Sequence, residues 1–152
     1  MIPQPIIQQK TERIIEFQQD WFYCTGGWTF CIKRGFLSDG YSVPWPFWWV
    51  IRPGSFYGPA GLHDALSESR GRSHHMLDVW LRGMRFDLDL QPFTMLQVNE
   101  LFRDCMRDSG IKPERSWAVK TAVNIHLARR WNTSPTWTQD VIRKHIEERE
   151  AA

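Results

Sequence analysis

The sequence predicts an α+β domain in which a small N-terminal antiparallel β-meander packs against a C-terminal set of about five helices. Two patterns along the chain support this prediction. Residues 12–36 alternate between apolar and polar positions and are rich in β-forming side chains, whereas the apolar spacing beyond Pro59 is helical. The length of 152 residues is normal for one domain and no repeat is visible, so we expect residues 1–152 to form a single domain.

Three short runs of β-forming residues make up the expected meander. They are Ile14, Ile15 and Phe17, then Trp21, Phe22 and Tyr23, then Trp28, Phe30 and Ile32. Gly26 and Gly27 separate the second and third runs, and glycine readily adopts the positive φ angles of a tight hairpin turn. We therefore expect residues 21–25 to pair antiparallel with residues 28–33.

The segment from Phe36 to Pro59 is predicted to be a long structured loop, with one short helix after Pro46. It contains four prolines and has no helical period. It also carries seven aromatic residues: Tyr41, Trp45, Phe47, Trp48, Trp49, Phe56 and Tyr57. Two interpretations stay open for these rings, since they either fill the core between sheet and helices or form a contact surface.

Five helical segments are expected after the sheet, at residues 59–69, 73–84, 92–108, 113–131 and 136–149. The third has the clearest amphipathic pattern, in which Val98 and Phe102 belong to the apolar stripe and Asn99 faces away from it. The last segment ends in a run of charged side chains, which favours a solvated tail or a partner-binding element over core packing.

Composition and charge exclude several classes of protein. Nineteen Lys and Arg against seventeen Asp and Glu give a formal charge of +2, so there is no strong signal for nucleic-acid binding. The uncharged stretch at residues 40–51 is shorter than the roughly 20 residues of a membrane-spanning helix, so we expect no transmembrane segment. The first ten residues lack the features of a secretory signal. Three cysteines, an odd number, indicate a reducing compartment, with an oxidised Cys24–Cys31 pair as the alternative.

The candidate site consists of polar residues from three short segments. Asp39 precedes Gly40 in a turn signal, while His63 and Asp64 are adjacent in the first half of a predicted helix. Asp78 lies fourteen residues beyond Asp64, on the next predicted helix. In an antiparallel helix pair, these two carboxylates converge, and His74 and His75 are spaced to join Asp78 on one face.

Two interpretations of this candidate site stay open. In the first, His63, Asp64 and Asp78 are ligands of a divalent metal that activates water, and Asp39 is a base or a further ligand. In the second, the same residues form a buried hydrogen-bonded network, with Arg70, Arg72 or Arg82 as partners. The candidate catalytic residues are therefore Asp39, His63, Asp64 and Asp78, and the metal is a hypothesis.

At these residues the chain resembles a family found mainly in bacteriophages and prophages and catalogued as domain of unknown function 1353. The resemblance rests on Phe36-x-Ser38-Asp39-Gly40-x-Ser42-x-Pro44, on His63-Asp64-x-Leu66 and on Asp78 in the following predicted helix. It covers about residues 12–110 and leaves residues 111–152 as a C-terminal helical extension. The sequence departs from the family pattern around Ala65 to Ser67. The resemblance implies a phage or prophage origin and carries over no catalytic role.

Two functions are therefore expected as alternatives. One is a small metal-assisted hydrolase of a phage or prophage, acting on a phosphoester or a cell-wall bond. The other is a non-enzymatic structural or interaction protein that binds a phage or host protein through the aromatic surface. In both, the expected location is the host cytoplasm or the virion.

Overall fold

The computed structural model describes residues 2–11, 14–39, 56–128, 130–132 and 138–152. These residues form seven strands and four helices. The strands are β1 (Ile7–Gln9), β2 (Ile14–Phe17), β3 (Trp21–Thr25), β4 (Trp28–Ile32), β5 (Leu37–Asp39), β6 (Leu77–Leu81) and β7 (Met84–Arg85). The helices are α1 (Tyr57–Glu68), α2 (Met95–Asp108), α3 (Pro113–Ala128) and α4 (Gln139–Glu150). The α+β class and the antiparallel pairing are thus confirmed.

The strands form two antiparallel sheets rather than one meander. The first sheet has the order β1-β2-β5 and the second has the order β3-β4-β6-β7. The predicted hairpin is present, since Trp21 pairs with Ile32 and Thr25 with Trp28. Gly26 and Gly27 have φ angles of 53° and 84°, the positive values that a two-residue hairpin turn requires.

The prediction of a helix over residues 73–84 is wrong, because this segment forms the β6–β7 hairpin. Leu77 and Val79 are buried and alternate with partly exposed residues, a period of two. Arg82 and Gly83 connect the strands with φ angles of 50° and 80°. The apolar positions of this segment fit a helical period as well, which is why the pattern was misleading. The described residues therefore contain four helices rather than about five.

The core lies between the sheets and α1. It is rich in aromatic rings, including Phe17, Trp21, Tyr23, Phe30 and Phe36, all at most 5% exposed. Helix α1 lies so close to the sheet that a Cβ atom at Gly61 would be only 2.4 Å from the Phe17 ring. The absence of a side chain at Gly61 therefore permits this close packing. Of the aromatic loop residues, Phe56 is buried and Tyr57 packs against the core, while residues 41–49 lie outside the described ranges.

The prediction that the C-terminal helix is a solvated tail is also wrong. Ile142 and Ile146 of α4 are buried in a small cluster with Ile14 and Leu37. Helix α4 is therefore packed on the β1-β2-β5 sheet rather than forming a solvated tail. Since Ile15 lies in the main core and its neighbour Ile14 lies in the α4 cluster, α1 and α4 cover opposite faces of this sheet.

Two further expectations concern membranes and thiols. None of the helices in the described ranges combines the length and the apolar character needed to cross a membrane. The three cysteines are free thiols, and in the hairpin Cys24 pairs with Thr29 and Cys31 with Phe22. The oxidised Cys24–Cys31 pair, kept as an alternative, is therefore not formed.

Candidate functional site

Helix α1 presents His63 and Asp64 in two different directions. Adjacent helical residues point about 100° apart, so one of the pair faces the neighbouring sheet and the other faces the neighbouring helices. Asp64 faces β5, where its Oδ2 accepts a hydrogen bond of 2.5 Å from the Ser38 hydroxyl. His63 faces α2 instead. The vicinal pair therefore serves two separate contacts of α1.

The contact between Ser38 and Asp64 brings the first two sequence motifs together. Ser38 is fully buried in β5 and Asp64 is only partly buried. Asp39 is the next residue of β5, and successive side chains of a strand point to opposite faces. Asp39 therefore lies on the face that α4 covers, together with Leu37, while Ser38 and Asp64 lie on the α1 face.

His63 belongs to a buried chain of hydrogen bonds that joins three helices. Its Nε2 is 2.9 Å from Asn99 Oδ1 of α2, and Asn99 Nδ2 donates to Asn124 Oδ1 of α3 at 2.5 Å. The amide of Asn99 uses its NH₂ group toward Asn124, so its oxygen accepts from a protonated His63 Nε2. Nδ1 of His63 is then unprotonated and lies 3.5 Å from the Ser67 hydroxyl.

Burial controls the protonation of this histidine. The His63 side chain is fully enclosed and its ring lies 4.5 Å from the Phe102 ring, measured between centroids. Loss of solvation lowers the pKa of His63 to about 4, although the hydrogen bond with Asn99 acts in the opposite direction. The ring is therefore neutral near pH 7.

Asn99 completes this network, and here the prediction from the sequence is wrong. The amphipathic pattern predicts Asn99 on the outward face of its helix, but its side chain is completely buried, like those of Val98 and Phe102. A buried polar side chain needs a partner, and His63 and Asn124 provide two. The sequence does contain a signal for this contact. A histidine on an apolar helix and an uncharged amide next to an apolar stripe each need a hydrogen-bond partner when they are buried.

Asp78 does not join the other candidate residues. Its neighbours Leu77 and Val79 point into the core, so the Asp78 side chain lies on the opposite face of the β3-β4-β6-β7 sheet. There it contacts Arg85 Nη2 at 2.5 Å and Lys33 Nζ at 3.2 Å. The convergence of Asp64 and Asp78 depended on an antiparallel helix pair, and β6 replaces the second of those helices.

The proposed ligand set is therefore not assembled in the part of the chain that the structure describes. Within those residues, no group of three His, Cys, Asp or Glu side chains is arranged to hold a metal ion. The alternative network also has other partners than expected, since Lys33 and Arg85, rather than Arg70, Arg72 or Arg82, bind Asp78. A catalytic or metal-binding role for Asp39, His63, Asp64 or Asp78 stays a prediction.

Ser67, His63 and Asn99 follow the order of a nucleophile, a base and an orienting amide. Their environment opposes that chemistry. Ser67 lies in the last turn of α1, where a helix presents free carbonyl groups and the negative end of its dipole. A developing oxyanion at this position would be repelled rather than stabilised.

A second polar cluster joins the end of α1 to α4. Met76 N–H donates to His74 Nδ1, and His74 Nε2 lies 3.2 Å from Glu68 Oε2. The other carboxylate oxygen of Glu68 accepts the backbone N–H of Gln139, the first residue of α4. Burial raises the pKa of Glu68, but the contacts with His74 and Gln139 together outweigh burial and lower that pKa below its usual value.

Comparison with protein-family models identifies the family of the chain. A family model described as "Protein of unknown function (DUF1353)" matches residues 15–123, well over half of the chain. The matched range includes the Ser38-Asp39 and His63-Asp64 motifs and extends past residue 110 into α3. It ends before α4. No curated protein and no solved structure matches the chain.

Proposed function

The chain belongs to the DUF1353 family, and from that premise we propose that it is a phage or prophage accessory protein that acts by binding another protein. The phage context rests on the family resemblance of the Ser38-Asp39 and His63-Asp64 motifs. The binding role rests on the surface of the α2–α3 pair.

The observation that carries the proposal is a set of large apolar side chains exposed on α2 and α3. Leu96 is 57% exposed, Trp117 is 63% exposed and Ile125 is 67% exposed. The two helices run antiparallel, and bonds between Glu100 and Lys120 and between Asn99 and Asn124 fix their alignment. This alignment places Leu96 beside the turn of α3 that carries Ile125. Exposed apolar residues grouped in this way are typical of a protein interface.

The geometry gives less support to a metal-assisted hydrolase. His63 is enclosed by α1 and α2, and its Nε2 is occupied by Asn99. Asp78 is occupied by two cations on another face of the molecule. His63, Asp64 and Asp78 thus each tie two elements together, which is a structural use of the side chain.

Affinity capture from phage-infected or prophage-induced cells tests the proposal. The purified wild type is compared with a Trp117→Asp/Ile125→Asp variant and with Leu90→Asp, a matched control that changes an 85% exposed leucine outside the α2–α3 pair. We expect the double variant to lose the captured partner while the control retains it, and all three proteins to unfold at the same temperature within a few degrees.

Metal analysis of the same preparations provides the opposing outcome. About one divalent metal per chain in the wild type, lost in both Asp64→Asn and Asp78→Asn, would favour the hydrolase over the binding protein. Unchanged capture by the double variant would also contradict the proposal, because the exposed side chains of α2 and α3 would then have no part in binding.

A further inference from the structure

The residues before β1 cross the domain as a bound segment. Residues 2–6 contain neither helix nor strand, and the two prolines among them favour an extended backbone. Three consecutive residues of this segment each make a hydrogen bond to a different element of the fold. The bonds run from Ile2 N–H to Asp108 O at 2.8 Å, from Trp21 Nε1 to Pro3 O at 2.9 Å and from Gly58 N–H to Gln4 Oε1 at 3.1 Å. The segment is therefore held in the way that a peptide ligand is held.

The groups that bind the segment are ones that their own elements do not use. Gly58 N–H lies in the first turn of α1 and Asp108 O lies in the last turn of α2, where a helix leaves amides and carbonyls without intrahelical partners. The indole N–H of Trp21 is a side-chain donor outside the backbone ladder of β3. We call these three residues the Trp21 slot. The slot presents two donors and one acceptor to a chain that passes over it.

Contacts that do not involve the segment hold the Trp21 slot in shape. The Trp21 ring is stacked on the Tyr23 ring, with 5° between their planes and 6.3 Å between their centroids. A Cβ atom at Gly58 would lie 2.4 Å from the Trp21 ring, so the backbone of α1 packs directly against the indole. The Tyr23 hydroxyl donates to Asp108 Oδ2 at 2.8 Å. The slot is therefore formed before any segment binds to it.

The segment itself is held by few contacts. The Ile2 side chain packs against the main core, but Gln4 Nε2 is buried without a hydrogen-bond partner among the described residues, which costs free energy. Gln18 N–H donates to Ile6 O, and the pairing of β1 with β2 follows directly after it. Residues 2–5 can therefore leave the slot by local opening while β1 stays in its sheet.

We propose that the Trp21 slot is a binding site for an extended, proline-containing segment of a partner protein, and that residues 2–5 occupy it as a competing ligand within the chain. Proline-containing segments bind aromatic-lined grooves because their extended conformation exists before binding. A proline has no N–H, so its residue offers only a carbonyl, and the indole N–H of Trp21 binds such a carbonyl at Pro3. The slot contains none of the exposed apolar residues of α2 and α3, so this proposal does not depend on partner binding through them.

A second copy of this chain is the less suitable source of such a segment. Because Ile6 is anchored by Gln18, residues 2–5 reach only about 14 Å from that point. Over so short a tether the effective concentration of the segment at its own slot is high, which favours rebinding within the same chain over exchange between copies. A partner segment must compete with this rebinding, so a variant with a loosened segment gives the most sensitive test.

The test measures the binding of a fluorescent probe peptide to the full chain by anisotropy. The probe has the sequence of residues 2–6 and is acetylated, so that its first N–H is an amide as in the protein. The Ile2→Ser/Gln4→Ala variant loosens the segment, because it removes the apolar contact with the core and the bond to Gly58. Ile6→Ser/Gln8→Ala is the matched control, since it makes the same changes at exposed positions. We expect the loosened variant to bind the probe at least tenfold more tightly than the wild type and the control.

The indole N–H signal of Trp21 in a nitrogen–proton correlation spectrum shows where the probe binds, and Trp21→Phe assigns that signal. We expect the signal to shift in the loosened variant and to return to its wild-type position when the probe is added. A second probe with alanine at both proline positions should bind at least fivefold more weakly, because its extended conformation is not formed in advance. A loosened variant that binds the probe no better than the control, that binds it without moving the Trp21 signal, or that binds both probes equally well would overturn the proposal.

Two further measurements keep the test decisive. Should the loosened variant be unfolded by circular dichroism, Gln4→Ala alone loosens the segment with a smaller change, Gln8→Ala is its control, and the same outcomes apply. Sedimentation velocity distinguishes the sources of the segment. We expect the loosened variant to stay monomeric, whereas dimers that dissociate when the probe is added would assign the slot to a second copy and overturn its assignment to a partner protein.

Discussion

Two polar clusters of α1 differ in charge, although both join the helix to later parts of the chain. The His63–Asn99–Asn124 chain contains no charged group near neutral pH and lies inside the helical layer. The Glu68–His74–Gln139 cluster contains a carboxylate and ties α1 to α4, at the margin of the fold. The difference shows how one helix uses uncharged polar groups where water is excluded and a charged group where it contacts the C-terminal helix. Changes in the first cluster should therefore cost more stability, and changes in the second should act mainly on α4.

Substitution of the central amide should have the largest effect. Asn99→Ala removes the partners of both His63 and Asn124, leaving buried polar groups unsatisfied. We expect the free energy of unfolding to fall by about 3 kcal/mol, measured by urea denaturation near pH 7. Asn124→Ala is the control, since it removes only one of the two bonds and leaves His63 paired. A loss for Asn99→Ala no larger than that for Asn124→Ala would show that the His63 contact contributes little.

Acid should weaken the His63 cluster before it weakens the Glu68 cluster. The pKa of His63 is lowered from 6.5 to about 4, so the folded protein favours the neutral ring. Its stabilising effect is complete above the unfolded pKa and declines as the pH falls from 6.5 toward 4. Because one pKa unit corresponds to about 1.4 kcal/mol, the decline should approach about 3 kcal/mol by pH 4.

A pH series of urea denaturations with His63→Gln isolates this effect. The glutamine side chain can still donate to Asn99 but does not titrate. The difference between wild type and variant should therefore change between pH 6.5 and pH 4 and stay constant above pH 7. Parallel curves over the whole range would mean that His63 takes up its proton as easily in the fold as in the unfolded chain.

The Glu68 cluster should respond at lower pH and with a smaller loss. Since the pKa of Glu68 is held below 4.5, its stabilising effect is present above that value and is lost as the pH falls through the lowered pKa. Glu68→Gln should cost about 1 kcal/mol at pH 7, because one cap of α4 becomes uncharged. It should also speed exchange of the α4 amides more than exchange in α2. Glu147→Gln, on the exposed side of α4, is the control and should leave both readouts unchanged.

The features that could be anticipated from the sequence are the local ones. The Gly26-Gly27 turn and the alternation around it specify the β3–β4 hairpin by backbone conformation and period alone, and the structure has that hairpin. The β6–β7 hairpin is not predicted because Leu77, Trp80 and Met84 fit a helical period, whereas Leu77 and Val79 fit the period of two of a strand, and only pairing with β4, distant in sequence, selects the strand. The burial of Asn99 depends on a histidine 36 residues away. Such long-range partners are not visible in a local pattern, which is also why Asp78 was grouped with Asp64.

Substitution of Asp78 should have the smallest effect on stability. Unlike the buried, neutral His63, this carboxylate is paired with exposed cations. Its carboxylate is paired with Lys33 and Arg85, whose side chains are 41% and 65% exposed, so water and salt screen the attraction. Asp78→Asn should therefore lower the free energy of unfolding by less than about 1 kcal/mol, and by less still at 1 M salt. Urea denaturation at low and high salt measures both values, and Lys144→Ala, which breaks an exposed ion pair with Glu148 in α4, is the control. A loss comparable to that of Asn99→Ala would mean that Asp78 contributes more to stability than a screened surface ion pair does.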